Sequence, residues 1–174
     1  MADILSQLDN LEPASLKPGT NVAADASQFG NDGGIEQAWA IKTMKFAEVY
    51  FRLIHAFDPS KLKLTLFDDI IYNEYMRYFK NLKIDVIDEE ELKSEDAKVI
   101  WRPFVEQYKG KIDDYNFGTL IRKDCSKDYS EENTTLVSRV QFYAIELARN
   151  RSGLNRFHIA PFSEEYVSAG TIGS

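Results

Sequence analysis

The sequence predicts an α+β fold that is predominantly α-helical, with one compact domain, a long buried helix and a small β element. In three stretches, apolar residues recur at three- and four-residue steps, which is the pattern of helices that bury one face. One shorter stretch alternates between apolar and polar residues, as a strand does. The 174 residues, 44% of them hydrophobic and 13% aromatic, suffice for a single domain with a sizeable core.

The first predicted helix runs from residue 35 to residue 57 and has the widest apolar face in the sequence. Its width indicates a helix buried at the centre of the fold. The face is formed by Trp39, Phe46, Tyr50, Leu53 and Phe57, and is widened by Ala40, Met44, Ala47, Phe51 and Ile54.

Three glycines, Gly30, Gly33 and Gly34, precede this helix and raise the question of a phosphate-binding loop. Such a loop follows a strand and closes with a lysine next to serine or threonine. Here a polar segment precedes the glycines and no such pair follows them. The glycines therefore let the chain turn into the helix, with Asn31 or Asp32 as its cap.

Two further helices are predicted before residue 110. Asp58-Pro59 ends the first helix, because a residue before proline avoids the helical conformation. The second helix starts near a capping box formed by Thr65 and Asp68, and the third starts at Ser94. In the third we expect Pro103 to kink or split the helix and Gly110 to end it. The apolar faces are Phe67, Ile71, Tyr75, Tyr78 and Leu82 in the second helix, and Ala97, Trp101, Phe104 and Tyr108 in the third.

The last third of the chain predicts one strand and one ambiguous element. Residues 115–125 alternate in polarity and indicate a short strand. Residues 138–151 favour a helix, because Ser138 and Gln141 have the spacing of a capping box and Gly153 suits the helix end. Their β-branched and aromatic residues would also suit a strand.

The composition divides the chain into a flexible N-terminal arm (1–31), a globular core domain (32–157) and a loosely ordered C-terminal tail (158–174). Within the arm, ILSQLDNL (Ile4–Leu11) has the spacing of a short amphipathic helix, one that could form on binding. We see neither a signal peptide nor an apolar run long enough to span a membrane. The expectation is a cytoplasmic, monomeric protein without membrane contact.

The net charge of −7 argues against direct nucleic-acid binding, which needs a basic surface. The acidic residues are concentrated in DVIDEEELKSED (85–96), which contains seven carboxylates and one lysine. Such a run is commonly a solvated loop and helix start. Alternatively, it attracts a basic protein partner through Glu89, Glu90 and Glu91.

No catalytic, metal-binding or cofactor-binding motif stands out in the sequence. His55 and His158 are too far apart to suggest a metal site, and the pairs at 68–69 and 113–114 are adjacent carboxylates that point in different directions. Cys125 is the only cysteine, which suits a reducing compartment, and no histidine lies near it in sequence. We therefore expect a protein that is not an enzyme and that uses no cofactor.

Aromatic, arginine and asparagine side chains cluster in WRPF (101–104), YNFGTLIRKDC (115–125) and LARNRSGLN (147–155). These residue types are frequent in protein interfaces. Helix capping and loop hydrogen bonding would account for them equally well. The candidate partner-binding residues outside the acidic run are Trp101, Arg102, Asn116, Phe117, Arg149, Asn150 and Arg151.

The same stretches carry a resemblance to a known family. IEQAWAIKTMKFAEVYFRLI, WRPF, NFGTLIRKDC and RVQFYAIELARNRSGLN resemble, in order and spacing, the eukaryotic polysaccharide-biosynthesis-domain-containing protein family over roughly residues 30 to 155. Despite that name, the sequence shows no acidic-Gly-x-Gly loop for S-adenosylmethionine and no Asp-x-Asp site for a nucleotide sugar.

The resemblance implies a dedicated chaperone for translation elongation factor 1-alpha. Such a chaperone binds the GTP-binding domain of the newly made factor, with the ribosome as a meeting place, and releases it when that domain folds around GTP. Two alternatives remain at this stage: a sugar-directed transferase in polysaccharide biosynthesis or methylation, and an adaptor without chaperone activity.

Overall fold

The computed structural model describes residues 33–156, which form one predominantly helical α+β domain. The elements in chain order are α1 (Gly33–Ala56), a 3₁₀ turn (Pro59–Lys61), α2 (Asp68–Phe79), α3 (Glu89–Leu92), α4 (Glu95–Glu106), β1 (Gly118–Arg122), β2 (Thr134–Ser138) and α5 (Arg139–Ser152). The predicted arm, the tail, the caps Asn31 and Asp32, and His158 lie outside the described residues.

Helix α1 packs on the domain through one face only. Phe46, Tyr50 and Ile54 are buried, whereas Met44 is 61% exposed and Phe57, just beyond the helix, is 48% exposed. Trp39 is only half-buried. The predicted long helix is confirmed, but α1 is buried along one face and is not at the centre of the domain, because its apolar residues encircle more of the helix than the domain covers.

Helix α2 begins at Asp68, two residues later than a capping box formed by Thr65 and Asp68 would place it. The Asp68 carboxylate accepts hydrogen bonds from the backbone amides of Leu64 and Thr65, at 2.7 Å each, and fastens the preceding loop to the first turn. Phe79 is buried at the end of the helix, while Tyr78, predicted to lie on the buried face, is 53% exposed.

Helices α3 and α4 are both capped by side chains, as the sequence predicts for α4. The Asp88 carboxylate accepts from the amides of Glu90 and Glu91, and the Ser94 hydroxyl accepts from the amide of Ala97. Helix α4 continues through Pro103 to Glu106, so the proline does not split it.

Strands β1 and β2 form a two-stranded antiparallel hairpin in which Gly118 pairs with Ser138 and Arg122 pairs with Thr134. Strand β1 confirms the predicted β element. Strand β2 was not predicted, because its five residues run directly into the following helix at Ser138.

Helix α5 occupies the position that the sequence suggested for α1. Every residue from Phe142 to Asn150 is buried, and α5 contacts α2, α4, both strands and the 3₁₀ turn. Two rings of α1, those of Phe46 and Tyr50, pack on Phe142 of α5, with centroid distances of 5.2 and 4.9 Å. The helical interpretation of 138–151 is confirmed, with a complete Ser138–Gln141 capping box and a left-handed Gly153 at the end.

Candidate functional site

Charged residues form a buried cluster where α5 meets α1 and β1. At its centre is Glu146, which is fully buried. Its Oε1 lies 2.7 Å from Nη1 of Arg149, and its Oε2 lies 3.9 Å from Nη2 of Arg122. The Tyr50 hydroxyl and the Asn155 amide also donate hydrogen bonds to Oε2. One carboxylate thus holds two guanidinium groups inside the core.

Both arginines also donate hydrogen bonds to loop backbone. Arg122 donates to the carbonyl oxygen of Cys125 at 2.8 Å. Arg149 donates to the carbonyl oxygens of Ile84 and Lys123, at 2.7 and 3.0 Å. The cluster therefore fixes the loop after α2 and the loop after β1 against the central helix.

The cluster keeps Glu146 ionised. Burial by itself raises the pKa of Glu146, but the guanidinium groups of Arg149 and Arg122 lower it, and the net pKa lies below the ordinary glutamate value. Burial, and then the Glu146 carboxylate, raise the pKa of Tyr50 well above its ordinary value, so its hydroxyl stays protonated and donates. The side chains of the cluster, Glu146, Arg149, Arg122, Tyr50 and Asn155, are all buried. This arrangement is that of a structural clamp.

Three of the predicted partner-binding residues belong to the interior. Arg149, Asn150 and Trp101 are 0%, 2% and 4% exposed. The Trp101 ring stacks on Phe79 with centroids 3.8 Å apart. Placing these three on a partner-binding surface was wrong for the folded domain, because each side chain is already surrounded by the core.

The acidic residues split into one that is anchored and two that face solvent. Glu89 accepts hydrogen bonds from the Thr135 hydroxyl and, at 2.9 Å, from Lys93. These contacts lower the pKa of Glu89, and the hydrogen bond from Thr135 has the largest effect. Glu90 and Glu91 are exposed on α3. The interpretation as a helix start is confirmed, because Asp88 caps α3 within the run. The attraction of a basic partner stays a prediction.

Helix α4 exposes apolar residues next to this acidic segment. Val99 is 71% exposed and Ile100 is 46% exposed, whereas Trp101 and Phe104 on the same helix are buried. Arg102 is exposed on the same helix. Glu95 and Asp96 occupy its first turn. Together α3 and α4 form what we call the acidic–apolar surface: Glu90, Glu91, Glu95, Asp96, Val99, Ile100 and Arg102.

Asn116 and Phe117 lie half-buried just before β1, away from the Glu146 cluster. The Phe117 ring lies 5.2 Å from the Lys42 ammonium and 5.4 Å from the guanidinium of Arg139. Lys42 also pairs with Asp114 at 3.2 Å. These contacts join the start of β1 to α1, so Phe117 has packing partners within the domain.

Arg151, at the end of α5, is partly accessible. Its Nη2 lies 2.7 Å from Asp69 Oδ1, and its guanidinium lies 4.4 Å from the centre of the Tyr72 ring. Of the three candidates on α5, Arg151 is therefore the one that could also contact a partner.

Within residues 33–156, no three His, Cys, Asp or Glu side chains are grouped so as to hold a metal ion. Cys125 is buried, and burial raises the pKa of its thiol. None of the helices in this part of the chain is both long and apolar enough to cross a membrane.

Sequence reasoning missed the centre of the buried cluster. Arg122, Glu146 and Asn155 are each 0% exposed, yet none was singled out as a core residue. One signal was available: Glu146 is the lone acid in the run VQFYAIELA, which is otherwise apolar but for Gln141. A lone acid in a buried helix needs a cationic partner, and the nearby arginines supplied it.

Comparison with known proteins places this domain in a family. The sequence profile of the family described as PBDC1 protein matches residues 35–160. The chain belongs to this family. Relatives named Protein PBDC1 are 56% identical over 128 residues in Mus musculus and 55% identical over 131 residues in Homo sapiens. The matches take in 74% and 75% of this chain but only 65% and 56% of those relatives.

A fungal relative matches over nearly its full length. The Saccharomyces cerevisiae protein named Protein PBDC1 homolog is 46% identical over 135 residues, covering 75% of this chain and 92% of that protein. A solution NMR structure of protein yst0336 from the same organism has a TM-score of 0.68 and 41% identity, and covers 80% of this chain and 98% of its own. This yeast protein and the present chain therefore share their fold.

Proposed function

We propose that this domain is a client-specific chaperone in the cytoplasm that binds the GTP-binding domain of newly made translation elongation factor 1-alpha and releases it once the client binds GTP. The client follows from the resemblance noted in the sequence, and family membership over residues 35–160 supports applying that expectation to this chain. The encounter at the ribosome belongs to the same proposal.

The observation that carries the binding mode is the acidic–apolar surface on α3 and α4. Val99 and Ile100 supply exposed apolar area, and Glu90 and Glu91 supply carboxylates beside it. Apolar patches rimmed by charge mark sites of protein association. An incompletely folded basic domain exposes both apolar side chains and cations, and this surface is complementary to both.

Release by GTP follows from thermodynamic linkage. If the chaperone prefers the nucleotide-free or incompletely folded client, a ligand that stabilises the folded client shifts it away from the form that binds. No chemical step on the client is required, and the domain acts without a cofactor of its own.

The experiment is a binding titration of purified protein against the client's GTP-binding domain, with and without GTP, at low and high salt. We expect binding without GTP, weakening when GTP is added, and slower association at high salt. Absence of binding in all four conditions would end the chaperone proposal. Binding that ignores GTP would leave an adaptor.

A further inference from the structure

The outward face of α1 is a stripe that the domain does not cover, with the apolar residues Ala40, Ile41 and Met44 among polar ones. Its residues follow each other at three- and four-residue steps, so they lie side by side along the helix. In its middle, Met44 is 61% exposed and Ile41 is 48% exposed. The stripe, which we call the outer α1 face, consists of Gln37, Ala40, Ile41, Met44, Lys45 and Glu48.

This stripe is not needed for packing, because α1 already buries its opposite side through Thr43, Phe46, Ala47, Tyr50 and Ile54. A helix with apolar residues on two opposite sides usually has an occupant on each. Within residues 33–156, no other element contributes to the lining of the outer α1 face. The occupant must come from elsewhere.

We propose that the N-terminal segment of this same chain, Ile4–Leu11, binds the outer α1 face. In that segment Ile4, Leu5, Leu8 and Leu11 have the spacing of one side of a helix. As a helix the eight residues are about 12 Å long, and the stripe from Gln37 to Glu48 extends over about 16 Å. The lengths match, and the segment's only strongly apolar residues all fall on one side.

The connection has the right length. The roughly 20 residues between Leu11 and Gly33, treated as a flexible linker, have an average end-to-end distance of about 25 Å. The far end of the stripe, at Glu48, lies about 22 Å along the helix from Gly33. A linker whose average length matches the required span gives the largest effective concentration of the tethered segment, in the millimolar range.

Size and charge favour this occupant over a second copy of the protein. One stripe on one helix is far smaller than the roughly 1,200 Å² that specific interfaces between free proteins bury. A tethered segment needs much less area, because its association is intramolecular. Asp9 in the segment and Lys45 on the stripe carry opposite charges, which suits the rim of such a contact.

The test is intramolecular disulfide formation in the full-length protein carrying Leu8→Cys and Met44→Cys. The native Cys125 is buried with a raised thiol pKa, so it stays out of the reaction. The matched control carries Leu8→Cys and Val99→Cys, because Val99 is 71% exposed against 61% for Met44 and simple accessibility would favour it. Rates are measured in dilute protein by non-reducing electrophoresis and mass spectrometry.

We expect the Met44 pair to close about tenfold faster than the Val99 pair, because docking raises the local concentration of the segment at the stripe. Adding Leu5→Asp should abolish the difference, because it puts a charge on the apolar side of the segment. Equal rates in the two proteins would overturn the proposal. So would disulfide-linked dimers as the main product through Met44→Cys, since they would assign the stripe to a second copy.

Discussion

At the scale of single residues, Glu146 links helix α5 to Arg122 at the end of β1. Its carboxylate contacts the guanidinium groups of Arg149 and Arg122, and all three side chains are fully buried. A buried ion pair adds little net stability, because desolvation offsets the attraction. Removing one partner is different, because it leaves an uncompensated charge in the core.

We therefore expect Glu146→Gln to lower the free energy of unfolding by about 3–5 kcal/mol. Urea denaturation followed by circular dichroism measures this loss. Glu90→Gln is the control, because Glu90 is exposed and the same change should stay within about 0.5 kcal/mol of the unsubstituted protein. A loss of less than 1 kcal/mol for Glu146→Gln would show that the cluster is not a clamp.

The same residue predicts a pH dependence. The folded-state pKa of Glu146 is lowered, so its contribution to stability is present above the unfolded-state pKa and is lost as the pH falls through the folded-state pKa. The stability difference between the unsubstituted protein and Glu146→Gln should be constant near neutral pH. It should shrink as the pH drops below about 4.3, the ordinary glutamate value.

Asp68 also titrates in this pH range, but it does not affect the difference between the two proteins. Burial raises its pKa, so its effect has the opposite sign: stability rises as the pH falls and Asp68 takes up a proton. Because Asp68 is present in both proteins, its effect cancels in the difference. A difference that stays constant down to pH 3 would contradict the assignment to Glu146.

At the scale of elements, the junction between β2 and α5 depends on Ser138. Its backbone pairs with Gly118 in the hairpin, and its side chain caps the central helix. The Ser138 hydroxyl accepts from the amide of Gln141 at 3.3 Å, and the Gln141 side chain accepts from the amide of Ser138 at 2.9 Å. One residue thus ends a strand and starts a helix.

We expect Ser138→Ala to cost about 1 kcal/mol, because the orphan amide of the first helical turn loses its acceptor. Thermal and urea unfolding measure the loss. Lys109→Ala, at an exposed position outside the helices and strands, serves as the control. If both variants are equally stable, water replaces the cap and the junction owes its geometry to the hairpin alone.

At the scale of the whole molecule, the net charge of −7 and its placement bear on the proposed association with a basic client. The structure refines which carboxylates to change. Glu89 is held by Thr135 and Lys93, so altering it disturbs the fold as well as the surface. Glu90 and Glu91 are exposed, so changing these two alters the charge of the surface alone.

We expect the double variant Glu90→Gln, Glu91→Gln to slow association with the client's GTP-binding domain and to leave dissociation nearly unchanged. Exposed charges steer encounter, and their effect is screened beyond about 8 Å at physiological ionic strength. Stopped-flow association measures the rate, and the gap from the unsubstituted protein should close at high salt. Glu131→Gln with Glu132→Gln is the matched control: an exposed pair with the same change in charge. Equal slowing by both pairs would show that net charge acts, not this surface.

The sequence by itself determined the helical character of the domain and most of its boundaries. Signals such as Ser94, Ser138 with Gln141, and Gly153 act on the backbone within three or four residues, so they need no knowledge of the rest of the chain. Alternation indicated β1 for the same reason. Family membership was also within reach, because four ordered motifs span the domain.

Only the tertiary structure decided which apolar helix is central and which charges are internal. α1 and α5 both carry enough apolar residues to be buried, and α5 takes the centre because α2, α4 and the hairpin pack around it. From the sequence, Arg149 was predicted to be a surface contact. In the structure it is surrounded by Glu146, three residues earlier, and by the carbonyl oxygens of two loops that are distant in sequence. Burial depends on partners far apart in sequence, whereas caps and periodicity depend on neighbours, so the sequence alone could give the elements but not their neighbours in space.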